Sequence, residues 1–212
     1  VTDFSDDHFN DKSSDTYRTL AGLSDSIVCS SEVMRDLIAG YTNREATVIN
    51  DPYEFDECEP HADGEDFLWF GHQRNLHEIT NALRFMGKRK LRIITGPKIV
   101  PNTTPWSIEN MTKGFAMSNM VLLPTQAGAE YKNPNRLVNS IRAGCFCICA
   151  WHPAYTAFRD FAWVGDLFTG LRWTDAFRKD LNERVKAGQD YIRERYSPQV
   201  IGEQWAKYLE SV

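Results

Sequence analysis

Short, mainly apolar runs recur along the chain, some of them wholly apolar, each closed by glycine, proline or a polar residue and most followed by apolar positions at helical spacing. The runs are Ser26-Ile27-Val28-Cys29, Ala46-Thr47-Val48-Ile49, Phe67-Leu68-Trp69-Phe70, Leu91-Arg92-Ile93-Ile94-Thr95, Met120-Val121-Leu122-Leu123 and Cys145-Phe146-Cys147-Ile148-Cys149-Ala150. Runs of this kind read as strands buried on both faces, the mark of a parallel sheet covered by helices. The segments between them predict helices over Ser14–Leu23, with Tyr17, Leu20 and Ala21 inward, and from a Ser30 or Ser31 cap through Val33, Met34, Leu37 and Ile38 to a stop at Gly40. Further helices are expected through Ile79, Leu83 and Met86, and over Trp106–Ser118, short and kinked by Gly114. After Ala150, Tyr155–Phe161 reads as helical and Trp163–Asp166 as a last short strand. Trp173–Tyr196 reads as one long charged helix, and a final helix starts at Ser197-Pro198 and carries Val200, Ile201, Trp205 and Leu209. That last apolar face needs a partner and is expected to cross back onto the first fifty residues. The fold class expected is α/β, a doubly wound Rossmann-like parallel sheet with helices on both faces.

Composition divides this pattern. From Asn50 to Asp66 the chain turns acidic and turn-rich, NDPYEFDECEPHADGED, which has the character of a linker. The expected organisation is residues 1–50 as the incomplete end of an N-terminal Rossmann-like domain, 51–65 as linker, 66–196 as a C-terminal α/β domain and 197–212 as the returning helix. The opening, with no methionine, is expected to belong to a longer enzyme. A chain of 212 residues with 42% hydrophobic and 25% charged residues can bury a sizeable core, and a net charge of -5 with no basic stripe argues against nucleic-acid binding. No apolar run approaches the roughly 20 residues needed to span a bilayer, so a cytoplasmic protein is the expectation. Three of the five cysteines, Cys145, Cys147 and Cys149, alternate along one strand. They are expected to be reduced and buried rather than zinc ligands, since no histidine or turn spacing accompanies them.

The chemistry concentrates between Asn119 and Tyr155. Strand, loop, helix and strand form a βαβ unit there, with Asn133 as a helix cap, Pro134 at the first turn, Leu137, Val138 and Ile141 inward, and Gly144 beyond the end. Such a unit places the loop after its first strand and its helix start at the carboxyl edge of the sheet, where ligands bind. Lys132 and Arg136 flank that helix start, whose free N–H groups already favour an anion, so a phosphate is the expected guest. Asn135 can donate to the same phosphates, and Thr125 and Gln126 can meet a sugar or ribose. At the neighbouring strand ends, Gly71 permits close approach to the backbone, Arg74 and Asn75 can reach a phosphate or sugar, and Lys98 lies in the Gly96-Pro97-Lys98 loop. His72 is the best-placed loop histidine, and Trp151, His152 and Tyr155 are candidate pocket walls. Near the start, Asp3, Asp6, Asp7 and His8 are close enough in sequence to serve as acid and base.

Three features together resemble the donor-binding half of the GT-B nucleotide-sugar glycosyltransferases of the group 1 type. They are the Phe70-Gly71 strand end with Arg74 and Asn75, the Ile93-Ile94-Thr95-Gly96 strand end, and the segment LLPTQAGAEYKNPNRLVNSIRAGCFCICA. The resemblance covers roughly residues 24 to 212 and implies that Lys132 and the helix start face a donor diphosphate. It also implies that Asp7 and His8 face an interdomain cleft, where a carboxylate or imidazole would take the proton of an acceptor hydroxyl. One departure stands out: the glutamate pair of retaining relatives, eight positions apart, would match Glu130 with position 138, which is Val138. The expected function is transfer of a sugar from a nucleoside diphosphate donor to a carbohydrate or other hydroxyl acceptor, with no metal or further cofactor. Binding of donor without turnover by these residues alone, and peripheral membrane association of a full enzyme, are compatible with it. The alternatives are a non-catalytic nucleotide or sugar-phosphate binding module and a nucleotide-sugar epimerase. A dinucleotide oxidoreductase is not the expectation, since no G-x-G-x-x-G follows a strand.

Overall fold

The computed structural model describes residues 1–6, 8–10, 12–96, 102–124 and 131–212, and they form two parallel sheets. In the first, β1 (Thr2–Phe4), β2 (Ile27–Cys29) and β3 (Thr47–Val48) pair in that order, joined by α1 (Ser14–Leu23) and α2 (Glu32–Thr42). Ser31 caps α2, its Oγ accepting from the Met34 N–H at 3.2 Å. The helix runs on through Gly40, where the sequence reading stopped it, and ends at Asn43, which takes the left-handed conformation (φ 53°). An asparagine tolerates that conformation, and continuing the helix to it satisfies another turn of backbone hydrogen bonds.

The second sheet holds six strands. β4 (Phe67–Gly71) leads through a 3₁₀ turn at Gln73–Asn75 into α3 (Leu76–Met86). Next come β5 (Leu91–Thr95), β6 (Thr104–Pro105), α4 (Ile108–Ala116) and β7 (Met120–Leu123). α5 (Asn135–Arg142), β8 (Phe146–Cys149) and β9 (Trp163–Val164) follow. The spatial order is β6-β5-β4-β7-β8-β9, parallel throughout, so the chain works outward from β4 in one direction and then returns to its other side with β7. That reversal leaves a crevice outside the carboxyl ends of β4 and β7. The central strands β7 and β8 are apolar at every position, and β4 up to its closing glycine, because helices cover both faces. Phe67, Leu68, Trp69, Met120–Leu123 and Phe146–Cys149 are all buried. Cys145, Cys147 and Cys149 are buried and unbridged, and burial pushes the Cys145 and Cys149 thiols far above their ordinary value.

The second unit also differs from the sequence reading in places, and the helix read over Tyr155–Phe161 is a 3₁₀ turn over Pro153–Phe158. β6 went unread, being two exposed residues held by backbone pairing to Ile94 and Thr95. Gly114 serves packing, since a β-carbon there would lie 2.5 Å from Ile94 Cδ1. The single helix expected over 173–196 is two, α6 (Leu167–Ala176) and α7 (Leu181–Tyr196), separated by a 3₁₀ turn at Arg178–Asp180. α6 begins earlier because Asp166 Oδ1 accepts from both the N–H and the hydroxyl of Thr169. It stops where Arg178 turns away to donate to the Gly64 carbonyl at 2.8 Å and to Asp175.

α8 (Pro198–Leu209), capped by Ser197, lies against the first sheet. Its Ile201 is buried with Val28 and Ile49, flanked by Trp205 and Tyr208, and the Tyr208 hydroxyl donates to the Ile27 carbonyl at 3.3 Å. The acidic segment before β4 is pinned to the second unit. Glu57 accepts from Arg193 at 2.7 Å and from Lys186 at 3.4 Å, and pairs closely with the mostly buried Arg142 at the end of α5. Burial alone would raise the Glu57 carboxyl, but the Arg193 hydrogen bond, the Arg142 charge and Lys186 outweigh it and hold the group below its usual value. A carboxyl lowered on folding adds stability above its unfolded pKa of about 4.3, and this is lost as pH falls through the folded value. Glu57→Gln is therefore expected to cost about 1–3 kcal/mol at pH 7, mostly by leaving Arg142 without its carboxylate. The gap to the parent should close as denaturant unfolding is repeated toward pH 3, and a gap of constant size would show that the network does not act through charge.

Candidate active site at the carboxyl edge of the second sheet

The crevice between β4 and β7 holds a pocket of about 160 Å³ lined by Gly71, His72, Asn75, Glu78, Pro124, Lys132, Asn133, Arg136, His152 and Tyr155. Each wall comes from a strand end or helix start. Gly71 and His72 close β4, and Asn75 and Glu78 open α3. Pro124 closes β7, Lys132 to Arg136 enter α5, and His152 and Tyr155 follow β8.

Arg136 is the most unusual side chain of the group. Its guanidinium lies 5.7 Å from the centroid of the Trp69 ring and 5.3 Å from that of Phe70. Its Nε and Nη2 are shielded from solvent with no hydrogen-bond partner among the described residues. A guanidinium is held over aromatic faces by cation–π attraction, yet N–H donors removed from water without acceptors carry a cost that a bound anion would remove. Lys132 is exposed at the mouth of the same pocket. Gly71 leaves room for this arrangement, since a β-carbon there would stand 3.1 Å from Trp69 and 3.6 Å from Arg136 Nη2.

The α5 start is braced from the linker. Asp51 accepts from the side-chain amides of both Asn133 and Asn135, the latter at 2.8 Å, while Asn133 Oδ1 accepts from the Asn135 N–H at 3.3 Å. The helix starts one residue later than the sequence reading placed it: Pro134 holds the cap position and Asn133, one residue before it, still reaches the first helical N–H. From the first sheet, the Ser31 hydroxyl donates to the Tyr131 carbonyl at 3.1 Å. Burial and then the Asp51 charge raise the Asp3 carboxyl above its ordinary value, which puts β1 and the linker within electrostatic reach of each other.

Of the residues expected at a site, the structure gathers Gly71, Asn75, Lys132 and Arg136 around one cavity, together with His72, His152 and Tyr155. Arg74 is exposed on the 3₁₀ turn and Asn135 is turned to Asp51, so neither is a wall. His152 is buried and its Nδ1 accepts from the Ala154 N–H, whereas Trp151 is 55% exposed and away from the walls. His8 stands in the first unit, its ring 4.8 Å from that of Tyr17, and is not a wall of this cavity. Asp7, Lys98 and Thr125 lie outside the described residues. Among the described residues no group of three or more His, Cys, Asp or Glu side chains is disposed to hold a metal ion, and no helix is long and apolar enough to cross a membrane.

Sequence reading missed Glu78. Asn75-Leu76-His77-Glu78 has the spacing of a capping box, which makes a glutamate look structural. In the fold Asn75 makes no side-chain cap, its N–H donates to the His72 carbonyl at 2.9 Å, and Glu78 Oε2 is shielded and unpartnered among the described residues. The Glu78 carboxyl is raised by burial, with the charges of Arg136, Lys132 and His77 opposing. Val138, at the position where relatives of the expected type carry a carboxylate, is buried in the core.

No family model and no curated protein sequence matches the chain. Solved structures do. HepE of Anabaena in complex with UDP-glucose superposes with a TM-score of 0.76 at 12% identity, over 97% of this chain and 69% of that one. TarM superposes with a TM-score of 0.68 at 10% identity, over 96% of this chain and 48% of that one. A TarM mutant of S. aureus in complex with Fondaparinux, alpha-GlcNAc-glycerol and UDP gives 0.69 at 11% identity. The two-sheet fold is therefore the GT-B arrangement. The chain spans about half the length of TarM and about two thirds of that of HepE.

Proposed function

We propose that the pocket binds the diphosphate of a nucleoside diphosphate sugar and that this chain is the donor-binding part of a glycosyltransferase acting on a hydroxyl acceptor. The observation that carries this is Arg136, whose side chain lines a cavity at a helix start and whose guanidinium has shielded N–H groups without a partner among the described residues, with Lys132 in the same lining. The similarity to a structure holding UDP-glucose supports it. In glycosyl transfer the bond from the anomeric carbon to a phosphate oxygen breaks and negative charge grows on the departing diphosphate. Positive groups fixed in advance at that spot stabilise the charge as it develops. Lys132, Arg136 and the N–H groups at the α5 start supply that positive field without a metal ion.

Calorimetric titration with UDP, GDP, ADP, TDP and CMP tests the reading. One nucleoside diphosphate is expected to bind saturably at one site, with the matching nucleoside binding far more weakly. Absence of binding by every diphosphate would remove the basis of the proposal. Incubation with the matching sugar nucleotide then distinguishes transfer or hydrolysis, which release diphosphate, from epimerisation, which does not.

A further inference from the structure

Glu78 is the one carboxylate among the described walls of the pocket, and no ion pair joins it to Arg136 or Lys132. Its Oε2 is in the same state as Nε and Nη2 of Arg136, removed from water and without a hydrogen-bond partner among the described residues. A structural reason for the carboxylate is lacking, because the N–H that a glutamate at this helix position would satisfy already donates to the His72 carbonyl. Two side chains that line one cavity, one with an unpaired acceptor and one with unpaired donors, and that do not pair with each other, fit a ligand that brings both partners. Phosphate alone would satisfy Arg136 but would set its charge against Glu78. A phosphate that carries a sugar offers acceptors to the guanidinium and a hydroxyl donor to the carboxylate.

We propose that Glu78 accepts a hydrogen bond from a sugar hydroxyl adjoining the phosphate held by Lys132 and Arg136, so that the pocket reads phosphate and hydroxyl together. This rests on the diphosphate reading above. The hydroxyl belongs either to the ribose or to the transferred sugar, and the two sources separate experimentally. The raised Glu78 carboxyl fits an acceptor whose donor arrives with the ligand; Arg136, Lys132 and His77 oppose the rise, and the Tyr155 phenol stands in the same field.

The test is titration of parent, Glu78→Met and Glu78→Gln with pyrophosphate, UDP and UDP-glucose, with GDP and GDP-mannose replacing the last two if the parent prefers guanine. Methionine keeps length and helix preference while removing the acceptor, and glutamine keeps an acceptor without the charge. For Glu78→Met, affinity for UDP-glucose relative to pyrophosphate is expected to fall about tenfold, the effect of losing a hydrogen bond to a charged group. Pyrophosphate itself should bind as well or better once the like charge is gone, and Glu78→Gln should recover part of the loss. A fall for UDP as large as for UDP-glucose assigns the hydroxyl to the ribose, and a fall for UDP-glucose alone assigns it to the transferred sugar. If the Glu78→Met ratio equals the parent's, the role of Glu78 is overturned while the diphosphate reading stands. If the parent binds neither pyrophosphate nor any nucleotide, both readings fall together.

Discussion

Arg136→Ala is expected to weaken nucleoside diphosphate binding by about 1.5–3 kcal/mol, the worth of a hydrogen bond to a charged group, and Lys132→Ala by a similar or smaller amount. Arg136 carries the larger share because it is held over Trp69 and Phe70 and its free N–H groups are already stripped of water, whereas Lys132 is exposed and keeps part of its hydration. Nucleoside without phosphate should bind parent and variants alike. Neither change should unfold the protein. Arg136 makes no ion pair among the described residues, so its removal takes away unpaired buried donors along with the ring contacts. Arg136→Lys should fall between, keeping the charge but losing the planar fork. Calorimetry with matched nucleoside and nucleoside diphosphate, beside a thermal melt of each variant, decides the matter. Equal diphosphate affinity in parent and both alanine variants would show that the α5 start does not hold the donor.

The largest effect on stability is expected at Gly144. It ends α5 with φ at 86°, and a β-carbon there would run into the Glu59 carbonyl oxygen and stand 2.7 Å from His61 Nδ1. A left-handed conformation costs an L-residue about 1–2 kcal/mol and overpacking about 1–3 more, so Gly144→Ala should destabilise by about 2–4 kcal/mol. At about 2–4 °C per kcal/mol for a chain of this size, the melting temperature should drop by roughly 5–15 °C. The linker would have to move as well. The His61 N–H donates to the Gly144 carbonyl at 3.0 Å, and its ring nitrogens face the carbonyls of Glu59, Phe115 and Ser118. Gly22→Ala is the control, because its β-carbon would meet nothing within 4 Å and alanine favours a helix. Equal melting temperatures for the two variants would contradict the packing at Gly144.

Strands such as Met120–Leu123 were legible because burial on both faces demands an unbroken apolar run, and so was the α5 start with its two cations. What escaped was set by contacts distant in sequence or by the backbone alone. Thr104–Pro105 becomes a strand only because Ile94 and Thr95 offer an edge. The break before Leu181 was hidden because apolar spacing continues through Phe177, whose ring stacks on Trp173 at 5.0 Å, and only the Arg178 contact to Gly64 marks it. Asn135 read as a phosphate ligand until Asp51, 84 positions earlier, proved to hold its amide. Glu78 needed the converse kind of information, that a residue with the spacing of a helix cap is not used as one.

The return of α8 to the first sheet bears on the order of events during synthesis. Val28 and Ile49 emerge from the ribosome early, but the side chain that covers them, Ile201, is made about 150 residues later. Nascent domains commonly fold from the N-terminal end at a pace set by elongation. Here the residues from Phe67 to Tyr196 are all synthesised before the covering helix, so the first sheet can be closed only after the whole second unit has been made. Until then its apolar face is free to meet chaperones or other nascent chains, and a chain truncated before Pro198 would lack the side chain that covers Val28 and Ile49.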